Sequence, residues 1–385
     1  MKTGFESAAR TFVACMTPPG SAALATLALY GPNAWPIIRD SFRPHATKDH
    51  RLPDQAIPGK FWLGKLGAGP GDEVVVAVKQ IQPAPYVEIH CHGGREVLRY
   101  LQDNFESHGA ESASWEELTQ QIEVDPCRAA ALIELAQAPT VRIASIILDQ
   151  YQGAVSRVLG EIQSAFERND REEARRQLTE LTGCANLGRH LTNPWRVVLA
   201  GAPNVGKSSL ANRLAGYLRS VVDAMPGTTR DIVTTRLALD GWPVELADTA
   251  GIRAAEESLE GQGVALARGA AAEADLCLWL LDGSVEPIWP GYQSANLRLV
   301  INKVDLPPAW SHEKAGEALR VSAETGEGVA EMCAAVAAWL VPDPPPPGSP
   351  VPFTPRICDR VESLLKSLDA EGHGDFADKM KRFWD

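Results

Sequence analysis

The segment 201–208, which reads GAPNVGKS, constrains this chain more than any other feature. It follows the apolar, strand-forming run 197–199 and matches the phosphate-binding pattern G-x-x-x-x-G-K-[ST]. The glycines let the backbone turn several N–H groups toward a phosphate, and the following helix adds the positive end of its dipole. Lys207 supplies a cation for the phosphate oxygens, and Ser208 supplies a hydroxyl for Mg²⁺. The pattern therefore predicts a strand–loop–helix unit that holds a nucleoside phosphate.

Four more segments follow in the order that a guanine-nucleotide site requires. They read GTTRD at 227–231, DTAG at 248–251, NKVD at 302–305 and SA at 322–323. Asp248 ends an apolar strand, where a carboxylate can hold Mg²⁺ through water, and Gly251 can donate its N–H to the γ-phosphate. Asp305 can accept from both N1–H and the 2-amino group of guanine, a pair of donors that adenine lacks. Together the motifs predict a site for GTP and GDP.

The predicted nucleotide site combines residues from all five motifs. Strands and helices alternate around them, which predicts a mainly parallel sheet with the nucleotide at the carboxyl ends of its strands. The predicted nucleotide-binding residues are Asn204, Val205, Gly206, Lys207, Ser208, Ser209, Thr228, Thr229, Asp248, Gly251, Asn302, Lys303, Asp305, Ser322 and Ala323.

Two details concern how such a site would hydrolyse GTP. Ile252 follows the D-T-A-G glycine, where a Ras-like protein has the glutamine that orients the attacking water. The downstream candidates for that role are Glu256, Glu257 and Glu260, each of which can instead be a solvated helix charge. Asn204 can ligate a monovalent cation beside the phosphates, or it can be a simple turn residue.

These motifs resemble the MnmE (TrmE) family of tRNA-modification GTPases. The resemblance is carried by G-x-P-N-x-G-K-S-S at 201–209, G-T-T-R-D, D-T-A-G-I-R at 248–253 and a glutamate nine residues after the D-T-A-G glycine, which selects Glu260. In that family potassium replaces an arginine finger, and it would offset charge on the transferred phosphoryl group when two G domains meet. The resemblance implies catalytic Glu260, Lys207 and Thr228, an Mg²⁺ site of Ser208 and Thr229, and a K⁺ site of Asn204 and Thr228 with backbone oxygens near Asp223 and Met225.

Composition excludes some classes of function. A chain of 385 residues has room for two or three domains, and its net charge of −12 argues against bulk attraction to nucleic acid. The seven cysteines are dispersed without C-x-x-C or metal spacing, which is typical of reduced cytoplasmic thiols. No apolar leader and no run of membrane-spanning length occurs. We therefore expect a cytoplasmic protein that does not bind a membrane.

Residues 1–110 predict a small α+β domain, with strands near 12–15, 24–29, 73–79 and 86–91. T-P-P-G at 17–20 and V-E-I-H-C-H-G-G at 87–94 resemble the N-terminal domain of the same family, which binds a tetrahydrofolate derivative and dimerises. Glu88 keeps its family position. The folate-contacting arginine of the family falls on Ala28, and a second basic position falls on Leu132. The alternative for Glu88 and its neighbouring histidines is an outward polar edge of a sheet.

Residues 111–190 predict helices, including an amphipathic stripe over 147–166. After the proline-rich segment 341–350, a stiff spacer or less favourably a proline ligand, Thr354 and Pro355 predict the start of another helix. One helix is not stable alone, so it must pack on the earlier helices. We therefore expect a multidomain α/β protein: an N-terminal α+β domain at 1–110, a helical domain at 111–190 and 345–385, and, inserted in it, a P-loop GTPase domain with a mainly parallel sheet at 191–344. The tail lacks the family's closing F-C-I-G-K.

Two functions from different classes remain open at the level of sequence. The first is a K⁺-activated, dimerising GTPase, a GTP phosphohydrolase that acts with an MnmG-like flavoprotein on the wobble uridine of tRNA. The second is a divergent regulatory or assembly switch that has lost the folate-dependent chemistry, as Ala28 and Leu132 suggest. A third reading, GTP binding without useful hydrolysis, predicts that Glu260→Ala changes nothing. The expected ligands are GTP or GDP, Mg²⁺ and K⁺, with a tetrahydrofolate derivative in the first case only.

Overall fold

The computed structural model describes residues 10–18, 20, 22–45, 51–67, 71–217, 234–248, 274–370 and 373–384. The chain divides into two compact units, Met1–Ile133 and Glu134–Asp385. Among the described residues, every helix is too short or too polar to span a bilayer. The first unit continues past residue 110, and the predicted three-domain boundaries remain a prediction.

The first unit is built on a seven-stranded sheet. Its strands are β1 Phe12–Cys15, β2 Leu24–Tyr30, β3 Phe42–Pro44, β4 Phe61–Leu66, β5 Asp72–Gln80, β6 Tyr86–His92 and β7 Glu111–Ser112. They lie in the order β3-β4-β5-β6-β2-β1-β7, and every pair is antiparallel except β1 with β7. The helices of this part are α1 Ala34–Ser41, α2 Arg95–Ser107, α3 Trp115–Ile122 and α4 Pro126–Ala136. The four strands that the sequence predicted are confirmed.

Alternation along these strands gives the sheet two different faces. On one face, alternate residues of β2, β5 and β6 are buried with side chains of α1 and α2 in one core; they include Leu27, Leu29, Val74, Val76, Val87, Ile89, Leu101 and Phe105. On the other face Ala14, Ala28 and Tyr30 pack with Leu118 of α3. The polar residues of β6 point to this second face.

Within the described residues, the α-helices of the second unit are α5 Val141–Tyr151, α6 Ala154–Glu167, α7 Arg171–Gly183, α8 Ala185–Arg189, α9 Lys207–Tyr217, α10 Val329–Leu340, α11 Pro355–Asp369 and α12 His373–Lys381. The predicted stripe over 147–166 is wrong as a single helix. Gly153 has φ +93° and separates α5 from α6, a left-handed backbone that glycine adopts without steric cost. Leu148, counted in that stripe, is 41% exposed.

The helix after the proline-rich segment begins as its sequence predicts. The Thr354 hydroxyl accepts from Ile357 N at 3.1 Å, and Pro355 occupies the first helical position. This helix, α11, packs on α7 and α8, and Arg189 forms ion pairs with Asp359 at 2.7 Å and Glu362 at 2.8 Å. Helices separated by more than 150 residues of chain therefore form one helical layer.

The proline-rich segment itself is anchored to α5. The Gln150 amide donates to Ser349 O at 3.0 Å and accepts from Val351 N at 3.2 Å, and its side chain is fully buried. The Asp149 carboxylate accepts from Gly348 N at 2.8 Å. The end of the proline-rich segment is thus fixed by a buried side chain.

The second unit also contains a six-stranded sheet, which confirms the predicted architecture. Its strands are β8 Trp195–Gly201, β9 Thr234–Leu239, β10 Trp242–Asp248, β11 Leu276–Asp282, β12 Leu297–Asn302 and β13 Leu319–Arg320. Their order is β13-β12-β11-β8-β10-β9, and only β9 and β10 are antiparallel. The carboxyl ends of the five parallel strands therefore share one edge, where loops from distant parts of the chain meet.

Candidate nucleotide-binding site

The phosphate-binding loop joins β8 to α9 and has a left-handed backbone at three positions. Gly201, Asn204 and Gly206 have φ of +136°, +61° and +96°. A Cβ on Gly201 would lie 2.5 Å from Leu280 O, and one on Gly206 would lie 2.3 Å from the Asn302 amide nitrogen. The two glycines are therefore required both by conformation and by space.

Lys207 is the first residue of α9, and its side chain lies within the loop. It is 7% exposed, and its ammonium group donates to Gly201 O at 3.1 Å and to Ala202 O at 2.8 Å. These bonds place a fixed positive charge at the amino end of α9, where the helix dipole also favours an anion. The loop therefore has the electrostatics of a phosphate site.

The Asn302 side chain joins three of the predicted motifs. Its amide nitrogen donates to Val205 O at 2.8 Å in the phosphate loop, and its amide oxygen accepts from Ala323 N at 3.0 Å. It is 1% exposed. Asn302 thus holds the phosphate loop and the predicted base loop at a fixed separation, a structural role that the sequence did not reveal.

The base loop after β13 is held by its own hydrogen bonds. Ser322 is fully buried, and its hydroxyl accepts from Thr325 N at 3.0 Å. Ser322 also exchanges backbone bonds with Gly326 and Glu327 at 2.8 and 2.9 Å. Asp305, the predicted guanine acceptor, is exposed on the chain that follows β12, and the preceding residue, Val304, donates its N–H to Val321 O at 3.3 Å. A rigid loop and a solvent-facing carboxylate are what recognition of an incoming base requires.

A comparison of this chain with known proteins decides the family. A model of the 50S ribosome-binding GTPase family (MMR_HSR1) matches residues 196–306. The tRNA modification GTPase MnmE of a Thermus thermophilus strain is 33% identical over 391 residues, which cover 92% of this chain and 87% of that protein. This chain belongs to the MnmE family. The MnmE of Synechococcus sp. WH7803 is also 33% identical, over 374 residues that cover 84% of this chain and 79% of that protein.

The MnmE family member described here is therefore a GTPase that binds and hydrolyses GTP. Among solved structures, the FeoB G-domain of Methanococcus jannaschii is 21% identical and covers 38% of this chain and 97% of its own, with a TM-score of 0.30. At that TM-score the likeness adds nothing to the assignment.

In this MnmE family member the predicted site residues fall into two groups. Those of the phosphate loop, N-K-V-D and S-A are brought to one edge of the sheet; they are Asn204, Val205, Gly206, Lys207, Ser208, Ser209, Asn302, Lys303, Asp305, Ser322 and Ala323. Asp248 ends β10 in register with Leu199 of β8, at the same edge. The residues that lie outside the described part are Asp223, Met225, Thr228, Thr229, Gly251 and Glu260. Their roles remain predictions.

Asp282 is a residue of this edge that sequence reasoning missed. It ends β11, and its carboxylate lies 2.6 Å from the Lys303 ammonium and accepts from Ser284 Oγ at 2.6 Å. Burial raises the pKa of Asp282, but the hydrogen bonds from Lys303 and Ser284 outweigh it and lower the pKa below its usual range. Lys303, at φ +64°, is held in place by this charge. An aspartate at the carboxyl end of a neighbouring parallel strand was the available signal.

A second polar cluster of this MnmE family member lies on the first unit, around Glu88. Tyr86 Oη donates to the Glu88 carboxylate at 2.8 Å, and Lys79 Nζ and His90 Nε2 lie 3.4 and 3.6 Å from it. Burial, and then Glu88, raise the pKa of Tyr86 well above its usual value. Ala28 is directly opposite Glu88 in the β2–β6 register, and Leu132 lies in α4. Within the described residues, no group of three or more His, Cys, Asp or Glu side chains is arranged to hold a metal ion.

Proposed function

We propose that this protein is a K⁺-activated, Mg²⁺-dependent cytoplasmic GTPase that works as a homodimer with an MnmG-like flavoprotein to modify the wobble uridine of tRNA. The observation that carries the proposal is Asn204, whose amide is exposed on a phosphate loop with φ +61°. A neutral amide oxygen is a suitable ligand for an alkali cation. The 33% identity to two tRNA modification GTPases, over 92% and 84% of this chain, supports the tRNA substrate.

The residues of this chain divide the work of hydrolysis among them. Lys207 binds the β- and γ-phosphate oxygens, Asp305 the guanine ring, and Glu260 orients the water that attacks the γ-phosphorus as the bond to the β-phosphate oxygen breaks. Ser208 and Thr229 would hold Mg²⁺, with Asp248 acting through water. Asn204 and Thr228, with backbone oxygens near Asp223 and Met225, would hold K⁺. When bound, the two cations offset the charge that develops on the transferred phosphoryl group.

The first test is GTP turnover in KCl and in NaCl at equal ionic strength. We expect turnover to be at least about tenfold faster in KCl, because the cation stabilises charge in the transition state. Asn204→Ala should remove the difference while GDP affinity is kept. Asn212→Ala, at an exposed position of α9, is the matched control and should keep it. Equal turnover in the two salts would refute the potassium site.

The tRNA substrate needs a test of its own. Deletion of this chain in its host should leave the wobble uridine of the affected tRNAs unmodified, as measured by mass spectrometry of digested tRNA. The intact chain should restore the modification, and Lys207→Ala should not. Fully modified tRNA in the deletion strain would refute the substrate while leaving the GTPase assignment intact.

One observation favours a second function, a GTPase switch without folate chemistry. Ala28, at the family's arginine position, is fully buried opposite Glu88 and offers no guanidinium. Leu132 offers no charge at the second basic position, and the Glu88 carboxylate is already bonded to Tyr86. The lack of a charged group at both positions supports a protein that does not use folate. A calorimetric titration with tetrahydrofolate decides the point: heat of specific binding would refute this second function, and its absence would support it.

A further inference from the structure

Arg213 joins the phosphate-binding helix to the base loop. It lies on α9, six residues after Lys207, and therefore less than two helical turns from the phosphate loop. Its Nε donates to Ala323 O at 2.8 Å, and its Nη2 donates to Glu324 O. Both acceptors are consecutive backbone carbonyls of the loop that begins at Ser322, more than 100 residues away in sequence.

The bonds from Arg213 complete the fixation of Ala323. Its N–H is bonded to the Asn302 amide oxygen at 3.0 Å, on the side of β12, and its carbonyl is bonded to Arg213, on the side of α9. Ala323, a predicted nucleotide-binding residue, is therefore held from two elements at once. Hydrogen bonds from a charged donor are stronger than those between neutral groups, and the planar guanidinium presents two donors in a fixed geometry.

A surface arginine on a helix is ordinarily a solvated charge or one partner of an i,i+4 ion pair. Arg213 differs because its two bonds go to neutral carbonyls of one loop rather than to a carboxylate. Such bonds do not neutralise the charge of the guanidinium, but they fix the position of the backbone of the base loop. The pattern is that of a residue that positions a loop.

We propose that Arg213 is a positioning residue for guanine recognition. Through α9 it couples binding of the phosphates to binding of the base. Without its guanidinium, the base loop is held on the β12 side alone, and the guanine nucleotide dissociates faster. The step at the γ-phosphorus is unaffected once GTP is bound, because Arg213 contacts no residue of the phosphate loop through the bonds described. This inference rests on GTP binding and is independent of potassium, folate and tRNA.

The test is the rate at which a fluorescent N-methylanthraniloyl GDP is displaced by excess GDP, measured on the full chain. Arg213→Ala should dissociate about tenfold faster, since the loss of charged hydrogen bonds of this kind has that order of effect. The KM for GTP should rise, whereas kcat at saturating GTP should stay within about twofold of the parent value. Arg213→Lys keeps one donor and should give an intermediate rate.

Arg298→Ala is the matched control, because Arg298 also donates to two backbone carbonyls, those of Ala295 and Leu297, but lies at the start of β12. It should leave nucleotide dissociation unchanged. Thermal unfolding of each variant reports general loss of structure. An unchanged dissociation rate in Arg213→Ala, or a fall in kcat at saturating GTP with an unchanged KM, would overturn the proposal.

Discussion

The two sheets of this protein assemble polar residues in different ways. In the parallel sheet, loops from separate strands meet at one edge, where the Asn302 side chain is hydrogen-bonded to both Val205 and Ala323. In the antiparallel sheet, Glu88 lies on a face of the sheet. Its neighbours there are the residues directly opposite it on the two adjacent strands, Ala28 on β2 and Ala77 on β5. A site at an edge is fixed by backbone and by shared hydrogen bonds. A site on a face depends on each cross-strand neighbour, and one alanine is enough to change its chemistry.

The largest effect is expected at Asn302, whose side chain bonds two loops at the edge of the parallel sheet. Asn302→Ala leaves Val205 O and Ala323 N without their bonds in a buried place. We expect the free energy of unfolding to fall by about 3 kcal/mol, because buried unpaired groups carry their full desolvation cost. GTP affinity should fall as well. Urea denaturation and nucleotide titration check both, with the exposed Asn193→Ala as control. If stability and affinity stay at the parent values, the edge is not held together by this side chain.

The opposite, amino-terminal edge of the parallel sheet should govern stability rather than binding. His190 stacks on Trp195 with ring centroids 3.7 Å apart, and its Nε2 lies 3.5 Å from Asp275 Oδ1. Burial lowers the pKa of His190, and the opposing effect of Asp275 does not offset it. The unfolded chain therefore binds a proton at this residue more readily than the folded chain does.

The sign of the pH dependence follows from this difference. The contribution of His190 is complete above the unfolded pKa of about 6.5 and is lost as the pH falls through the lower folded value. Between pH 7.5 and pH 5.5, the free energy of unfolding should therefore fall by about 1 kcal/mol less in His190→Gln than in the parent. Denaturant titrations of parent and variant at both pH values measure it, and the KM for GTP at pH 7.5 should not change. Parallel pH profiles would rule out the role of His190.

The face of the antiparallel sheet should give the smallest effect. Glu88→Gln removes a charge that is partly solvated, so we expect a change in unfolding free energy of less than about 1 kcal/mol and unchanged GTP turnover. The pKa of Tyr86 should move toward its usual value, because a neutral neighbour no longer opposes ionisation. Ultraviolet titration of the tyrosines measures this shift, with the exposed Glu96→Gln of α2 as control. A large loss of turnover would mean that the two sites are coupled.

The same contrast explains what the sequence could predict. The phosphate loop, N-K-V-D and S-A were predictable because backbone geometry at a parallel edge needs particular residues at fixed spacings. The role of Arg213 was not, because its partners are 110 and 111 residues away and no local pattern marks it. Asp282 stands at the end of a strand, which was a signal, but its pairing with Lys303, 21 residues away, was not readable from that position. The break at Gly153 was missed because the apolar period continues across it. On the face of the first sheet, the sequence predicted the strands but not which neighbours meet Glu88.

The buried Gln150 has a consequence for how this chain reaches its fold. Its bond to Ser349 closes a loop of 199 residues, and forming such a contact in a flexible chain costs about 5 kcal/mol in entropy. Most of that cost disappears if the intervening sheet is already formed. The chain segments that enter and leave the sheet are then close together, so that α8 and α11 can meet. We therefore expect the sheet to form first and the helical layer to be completed last.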